Sequence, residues 1–235
     1  MTAIPLLYAA SHSTNGRSLL SPKKLVALGK TAGVAGICDD QALAGAYELS
    51  LEAKKKGVKA VIGTRLVLGD LELAVHIEKP AGWSALCRIS NELRLKAIDL
   101  PRLIADLAAA PLFVSIEASC AAAKSWAASQ NDSLDSLIAG LPKDRLAFAI
   151  SRQVDGLQGR SVARKAADLS IPSIAAPIPV VAESVDIDII NILDDEQTPR
   201  WPVTHYLSDG EIREQDLVRL LLEGRDVGVG EQARA

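Results

Sequence analysis

Short apolar runs alternate with longer stretches of helical periodicity along most of this 235-residue chain, and no other feature limits its fold so strongly. A strand that is apolar on both faces must be covered on both, and an amphipathic helix must bury its stripe. A parallel sheet with helices outside meets both demands. The runs at 4–10, 34–38, 58–62, 71–77, 112–116, 146–150 and 173–176 are expected as strands, with 66–68 as a continuation of the third. Helices are expected from Pro22 to a stop at Gly33, over 42–56, 80–95 and 99–110, and over 161–169. The Ala-, Ser- and Asn-rich stretch 119–135 reads as one or two helices with a loop near Asn131. Ser21-Pro22 and Asp99-Leu100-Pro101 are cap signals, and Lys54-Lys55-Lys56-Gly57 is a helix end. Periodicity does not choose between a closed barrel and a doubly wound sheet.

Apolar residues make up 49% and charged residues 23%, as in an ordinary globular chain, while aromatics are only 3%. The core must therefore be built from Leu, Ile, Val and Ala. A net charge of −3 provides no general basic surface for nucleic acid, so weak DNA binding by the chain alone is expected. Cys38, Cys87 and Cys120 lie far apart, form no zinc spacing, and suit reduced thiols in the cytoplasm. Met1-Thr2-Ala3-Ile4-Pro5 lacks the basic and apolar regions of a signal peptide, and no run is long enough for a membrane span.

Four stretches carry a family resemblance. Ala10-Ser11-His12-Ser13 follows the first strand. Gly36-Ile37-Cys38-Asp39-Asp40 comes next, with Leu43 and Gly45-Ala46 after it. Gly57-Val58-Lys59-Ala60-Val61-Ile62-Gly63-Thr64-Arg65 closes a helix and forms a strand. Gly82-Trp83-Ser84-Ala85-Leu86, then Ile89-Ser90, follows the strand at 71–77. In order and spacing these resemble the PHP (polymerase and histidinol phosphatase) domain of bacterial DNA polymerase III α subunits. There they read His-x-His-Ser, Thr-Asp-His-Gly before Leu-x-Gly-Ala, Gly-Ile-Lys-Pro-Ile-Ile-Gly-x-Glu, and Gly-Tyr-x-Asn-Leu-x-x-Leu-Ser. The resemblance implies a distorted TIM-like (β/α)7 barrel over residues 1–200, with 201–235 as an extension holding one helix at 217–223.

The same resemblance implies a site at the C-terminal strand ends holding two or three metal ions, which make hydroxide and clamp a phosphate. This chain departs from that pattern. Ala10 stands at the first His position, Asp40 at the second-motif His and Arg65 at the Glu, while His12 and Asp39 match. The late Asn-x-x-His motif falls near 177–180, where no His occurs. Arg65 puts a fixed positive charge where a ligand belongs. No cofactor is expected beyond, at most, one weakly held metal ion on His12, Asp39 and Asp40. The expected refilling of the pocket pairs Asp39 with Arg65, with His12 hydrogen-bonded nearby.

His76 and His205 are expected as packing or surface residues, and Trp83, Trp126 and Trp201 as packing residues or interface anchors. The acidic stretch of Asp186, Asp188, Asp194 and Asp195 reads as a solvated face. The resemblance then implies a non-catalytic, structural and protein-binding domain of a polymerase III α-type subunit in DNA replication or repair synthesis, with no activity in this chain alone. Its expected partners are the polymerase body, a proofreading exonuclease or another replication protein. The alternatives are a metal-dependent phosphoesterase with an atypical ligand set, and a stand-alone binding protein.

Overall fold

The computed structural model describes residues 7–12, 18, 20–150 and 152–176. Six strands form one sheet in sequence order: β1 (Val34–Asp40), β2 (Lys59–Leu68), β3 (Leu71–Ile77), β4 (Leu112–Glu117), β5 (Leu146–Ile150) and β6 (Ser173–Ala175). Seven helices accompany them among the described residues: α1 (Pro22–Gly29), α2 (Ala46–Lys56), α3 (Gly82–Arg94), α4 (Leu100–Ala109), α5 (Ala121–Ala128), α6 (Asp132–Gly140) and α7 (Arg152–Asp168). The expected helix at 217–223, the acidic stretch, Trp201, His205 and the boundary at residue 200 lie outside the described residues. So do residues 4–6 of the first expected strand and residues 177–180.

The sheet is not wholly parallel, contrary to the expectation. β3 runs antiparallel to both β2 and β4, while β1–β2, β4–β5 and β5–β6 are parallel. The cause is local. Gly69-Asp70 alone separates β2 from β3, with Gly69 at φ 61°. Two residues can turn a hairpin, whereas a parallel crossover needs a dozen or more. Residues 66–68, expected as a continuation, are the end of an unbroken β2 that pairs Leu68 with Leu71.

The sheet is strongly curled. Residues 7–10 run beside β1, where Cys38 N–H donates to Ala9 C=O at 2.8 Å. From there to β4 is four strand spacings, about 19 Å across a flat sheet. Yet the Tyr8 hydroxyl lies 2.8 Å from Ser115 Oγ on β4, and His76 Nε2 on β3 lies 3.1 Å from Leu7 C=O. A tyrosine side chain spans only about 6–7 Å, so the sheet must bend round to bring β4 within reach. The described strands thus make a half-barrel, and no strand closing it is among them.

The concave face carries a buried cluster that takes residues from all six strands, including Val34, Val61, Ala74, Phe113, Ala147 and Ile174, together with Leu7 and Tyr8. The convex face carries two clusters. One packs α1 and α2 on β1 and β2 through Leu25, Val26, Leu49 and Ala53. The other packs α3–α7 on β2–β5 through Leu86, Leu103, Trp126, Leu137 and Val162. Caps fall at Ser21, Asp99 and Gly57 as expected, while α1 ends at Gly29, before the expected stop at Gly33. Ser21 and Asp99 accept from Lys24 N–H and Arg102 N–H, Asn131 caps α6, and Gly57 ends α2 at φ 65°.

Candidate functional site

The pleat decides which side chains reach the concave mouth. Residues alternate across a strand, so Cys38 and Asp40 on β1 share the inner face, as do Gly63 and Arg65 on β2, and Phe113, Ser115 and Glu117 on β4. Register then aligns the strand ends, since Asp40 pairs with Arg65 and Arg65 with Ala74. Ala74 is small, so the Arg65 side chain crosses β3 above it and reaches β4.

Arg65 Nη1 donates to Asp40 Oδ1 at 3.3 Å, and Arg65 Nε lies 3.4 Å from Glu117 Oε1. The second contact is close in distance but out of line for a hydrogen bond. Arg65 Nε and Glu117 Oε1 are both buried without a hydrogen-bond partner. One guanidinium therefore links three strands at the mouth, with Glu117 only 4% exposed, Arg65 18% and Asp40 24%. Burial works against the charge of Arg65, but Glu117 and Asp40 together raise its pKa. Burial also pushes Glu117 above the usual carboxylate range, with Arg65 opposing.

The expected Asp39–Arg65 pair does not form. Asp39 points to the other face of β1 and accepts from Ser11 N–H at 2.6 Å and Ser11 Oγ–H at 2.9 Å. A Cβ at Gly45 would stand 2.5 Å from Ile37 Cδ1, 3.0 Å from Ser11 Oγ and 3.2 Å from Asp39 Oδ2, so the glycine lets α2 begin against this contact. Asp39 thus fastens the segment that bears Ala10 and His12 to the end of β1. His12 is exposed, and its backbone N–H donates to Leu20 C=O. Ala10 is buried. His12, Asp39, Asp40 and Arg65 do gather at one end of the sheet, but only Asp40 and Arg65 touch.

Sequence reasoning missed Glu117. Its signal was a charged residue ending the otherwise uncharged run Leu112–Glu117, on the same face as Ser115. Beneath the mouth lies a layer of Tyr8, Cys38, His76 and Ser115. Ser115 Oγ also meets Ala74 C=O at 3.0 Å. Tyr8 and His76 meet edge to face at 5.1 Å. Burial raises the pKa of the Cys38 thiol and the Tyr8 phenol, which disfavours either as a nucleophile. Burial lowers His76 to about 4, against a smaller opposing effect from Leu7 C=O. The imidazole is therefore neutral, with Nε2–H donating to Leu7 and Nδ1 left without a partner.

The metal cluster implied by the resemblance does not fit these residues. A guanidinium spans the two inward carboxylates, and its fixed charge would repel a second cation. Among the described residues, no group of three or more His, Cys, Asp or Glu is arranged to hold an ion. Among them too, no helix is long and apolar enough to cross a membrane.

No family model matches the chain, and no curated protein matches it. Solved structures that resemble it include a candidate metal-dependent phosphoesterase of Bifidobacterium adolescentis, at 12% identity and TM-score 0.46, covering 80% of this chain and 96% of that one. They also include an amidohydrolase of Chromobacterium violaceum with bound sulfate and no metal. It shares 12% identity at TM-score 0.47, with 74% of this chain and 86% of that one covered.

Proposed function

We propose that this is a PHP-like domain that hydrolyses nothing and serves by holding protein surfaces, as part of a polymerase III α-type subunit in DNA replication or repair synthesis. The observation that carries the non-hydrolytic half is the Arg65 guanidinium between Asp40 and Glu117. Metal-assisted hydrolysis needs a cation that polarises phosphate and lowers the pKa of bound water. Arginine can bind phosphate, but it supplies no hydroxide. The polymerase setting is supported by the motif order and spacing alone. Its partners on this reading are the polymerase body, a proofreading exonuclease or another replication protein.

A second reading is a metal-dependent phosphoesterase with an atypical ligand set. It is favoured by the two inward carboxylates, Asp40 and Glu117, at one end of the sheet. One pair of assays separates the readings. A phosphomonoester and a phosphodiester are offered with manganese, zinc or magnesium, and the tagged protein is recovered from its native host. The first reading expects no metal-dependent turnover and a replication subunit in the recovered complex. Turnover that Glu117→Gln abolishes would establish the second.

A further inference from the structure

Among the described residues, the hairpin between β2 and β3 leaves a gap in the outer layer. Where strands are parallel, the connecting helices pack on the convex face. Two turn residues replace a helix here, and the two convex clusters fail to meet over the start of β2 and the end of β3. Ala60 and Ile62 lean on the α1–α2 cluster and Ile77 on the α3–α7 cluster. Along this seam runs an open groove of about 630 Å³. Its floor is Ala60, Ile62 and Ile77, and Trp83 on the first turn of α3 stands at its side, 43% exposed.

Two cations and one acid line the groove. Lys59 and Lys79 line it, and Lys54, Lys55 and Lys56 end α2 just before Lys59. Glu78 is the acid among the lining residues. The groove also borders the N-terminal end of the 13-residue α3, whose dipole favours negative charge. The apolar floor, the exposed tryptophan, the excess of lysine over glutamate in the lining and the adjoining N-terminal end of α3 are complementary to a peptide that presents aliphatic side chains inward and carboxylates outward. β2 already pairs on both edges, so such a peptide is held by side chains and not by strand addition.

We propose that this groove docks a short acidic, aliphatic segment of a partner protein, with Trp83 as its anchor. The proposal rests on the reading of the domain as a holder of protein surfaces. The probe is a fluorescein-labelled 12-residue peptide of Leu, Ile and Asp, with a control in which Lys replaces every Asp. Anisotropy with the full chain is expected to show saturable binding of the acidic peptide and none of the control. Trp83→Ser should weaken binding about thirtyfold, as for an aromatic hot spot, and Lys79→Glu about tenfold. Both positions are exposed, so circular dichroism should show the variants folded.

No saturable binding, equal binding of the Lys control, or binding unchanged in folded Trp83→Ser would overturn the proposal. So would a concentration-dependent dimer in sedimentation that Trp83→Ser abolishes, because the groove would then belong to a second copy of this chain. Metal-dependent hydrolysis would remove the reading beneath the proposal without touching these peptide results. Failure of the peptide would remove the groove and leave that reading standing.

Discussion

Arg65→Met keeps the length of the side chain and deletes its charge. Glu117, at 4% exposure, would then be a buried carboxylate facing no counter-charge among the described residues, and Asp40 would lose its hydrogen bond from Arg65. Breaking a buried ion pair from one side costs about 3–5 kcal/mol. Partial exposure of Arg65 and Asp40, at 18% and 24%, lowers the expectation to about 2–4 kcal/mol at pH 8. In a chain of this length that corresponds to roughly 5–15 °C in Tm. The loss must depend on pH. Burial already raises Glu117, and removing Arg65 raises it further. Between the unfolded value of about 4.3 and the higher folded one, the folded state binds more protons, so stability falls as pH rises. The deficit of the variant should be small at pH 4 and grow toward pH 8. Glu117→Gln should cost less, and the double variant should be more stable than the two single losses predict, by about 2 kcal/mol of coupling. Urea melts of the four proteins at pH 4, 6 and 8 provide the assay. An Arg65→Met variant within about 0.5 kcal/mol of the parent at pH 8, the effect of an ordinary surface substitution, or a deficit that ignores pH, would show that Arg65 does not hold Glu117 by its charge.

Three other substitutions probe the layers beneath and beside the mouth. A Cβ at Gly63 would stand 2.6 Å from His76 Cδ2 and 2.9 Å from Val75 C=O, so Gly63→Ala should destabilise by about 1–3 kcal/mol in a thermal melt. The His76 value of about 4 lies below the ordinary value of about 6.5, so the unfolded state binds the extra proton between them. Stability should therefore fall by about 3 kcal/mol as pH drops through that window, and His76→Gln should flatten the slope. Trp126 is buried, stacks on Phe148 at 5.1 Å, donates to Asp135 at 2.9 Å and lies under the Lys165 ammonium. Trp126→Ala should cost about 3–5 kcal/mol in a urea melt.

Period and punctuation make most elements legible in the sequence itself. The run at 71–77 and the run at 146–150 became β3 and β5 with the same bounds. Cap chemistry at Ser21, Asp99 and Gly57 marked three helix ends, because those residues satisfy orphan backbone groups by local bonds. Where the sequence misled, the deciding interactions were long-range or turned on a few residues. The direction of β3 depended on the two-residue turn at Gly69-Asp70, which apolar periodicity does not weigh. α2 begins at Ala46, four residues later than expected, and α7 at Arg152, nine residues earlier.

At the mouth, the motifs mark Asp39, Asp40 and Arg65, but they pair the arginine with Asp39, where the structure pairs it with Asp40. Alternation along β1 settles that, since consecutive residues point to opposite faces. Glu117 lay outside every motif. A charge ending an uncharged run marked it as unusual, but its partner follows from the register, which brings the end of β4 within reach of a long side chain crossing Ala74.

On the proposed function, Arg65 fills the mouth with a built-in cation and no catalytic metal cluster is held there. Elemental analysis of the protein purified without chelator and dialysed free of loose ions tests this most directly. The expected result is well under one zinc, manganese or iron ion per chain, and no change in melting temperature on adding EDTA. Two or more tightly held ions per chain, lost together with stability on chelation, would contradict it.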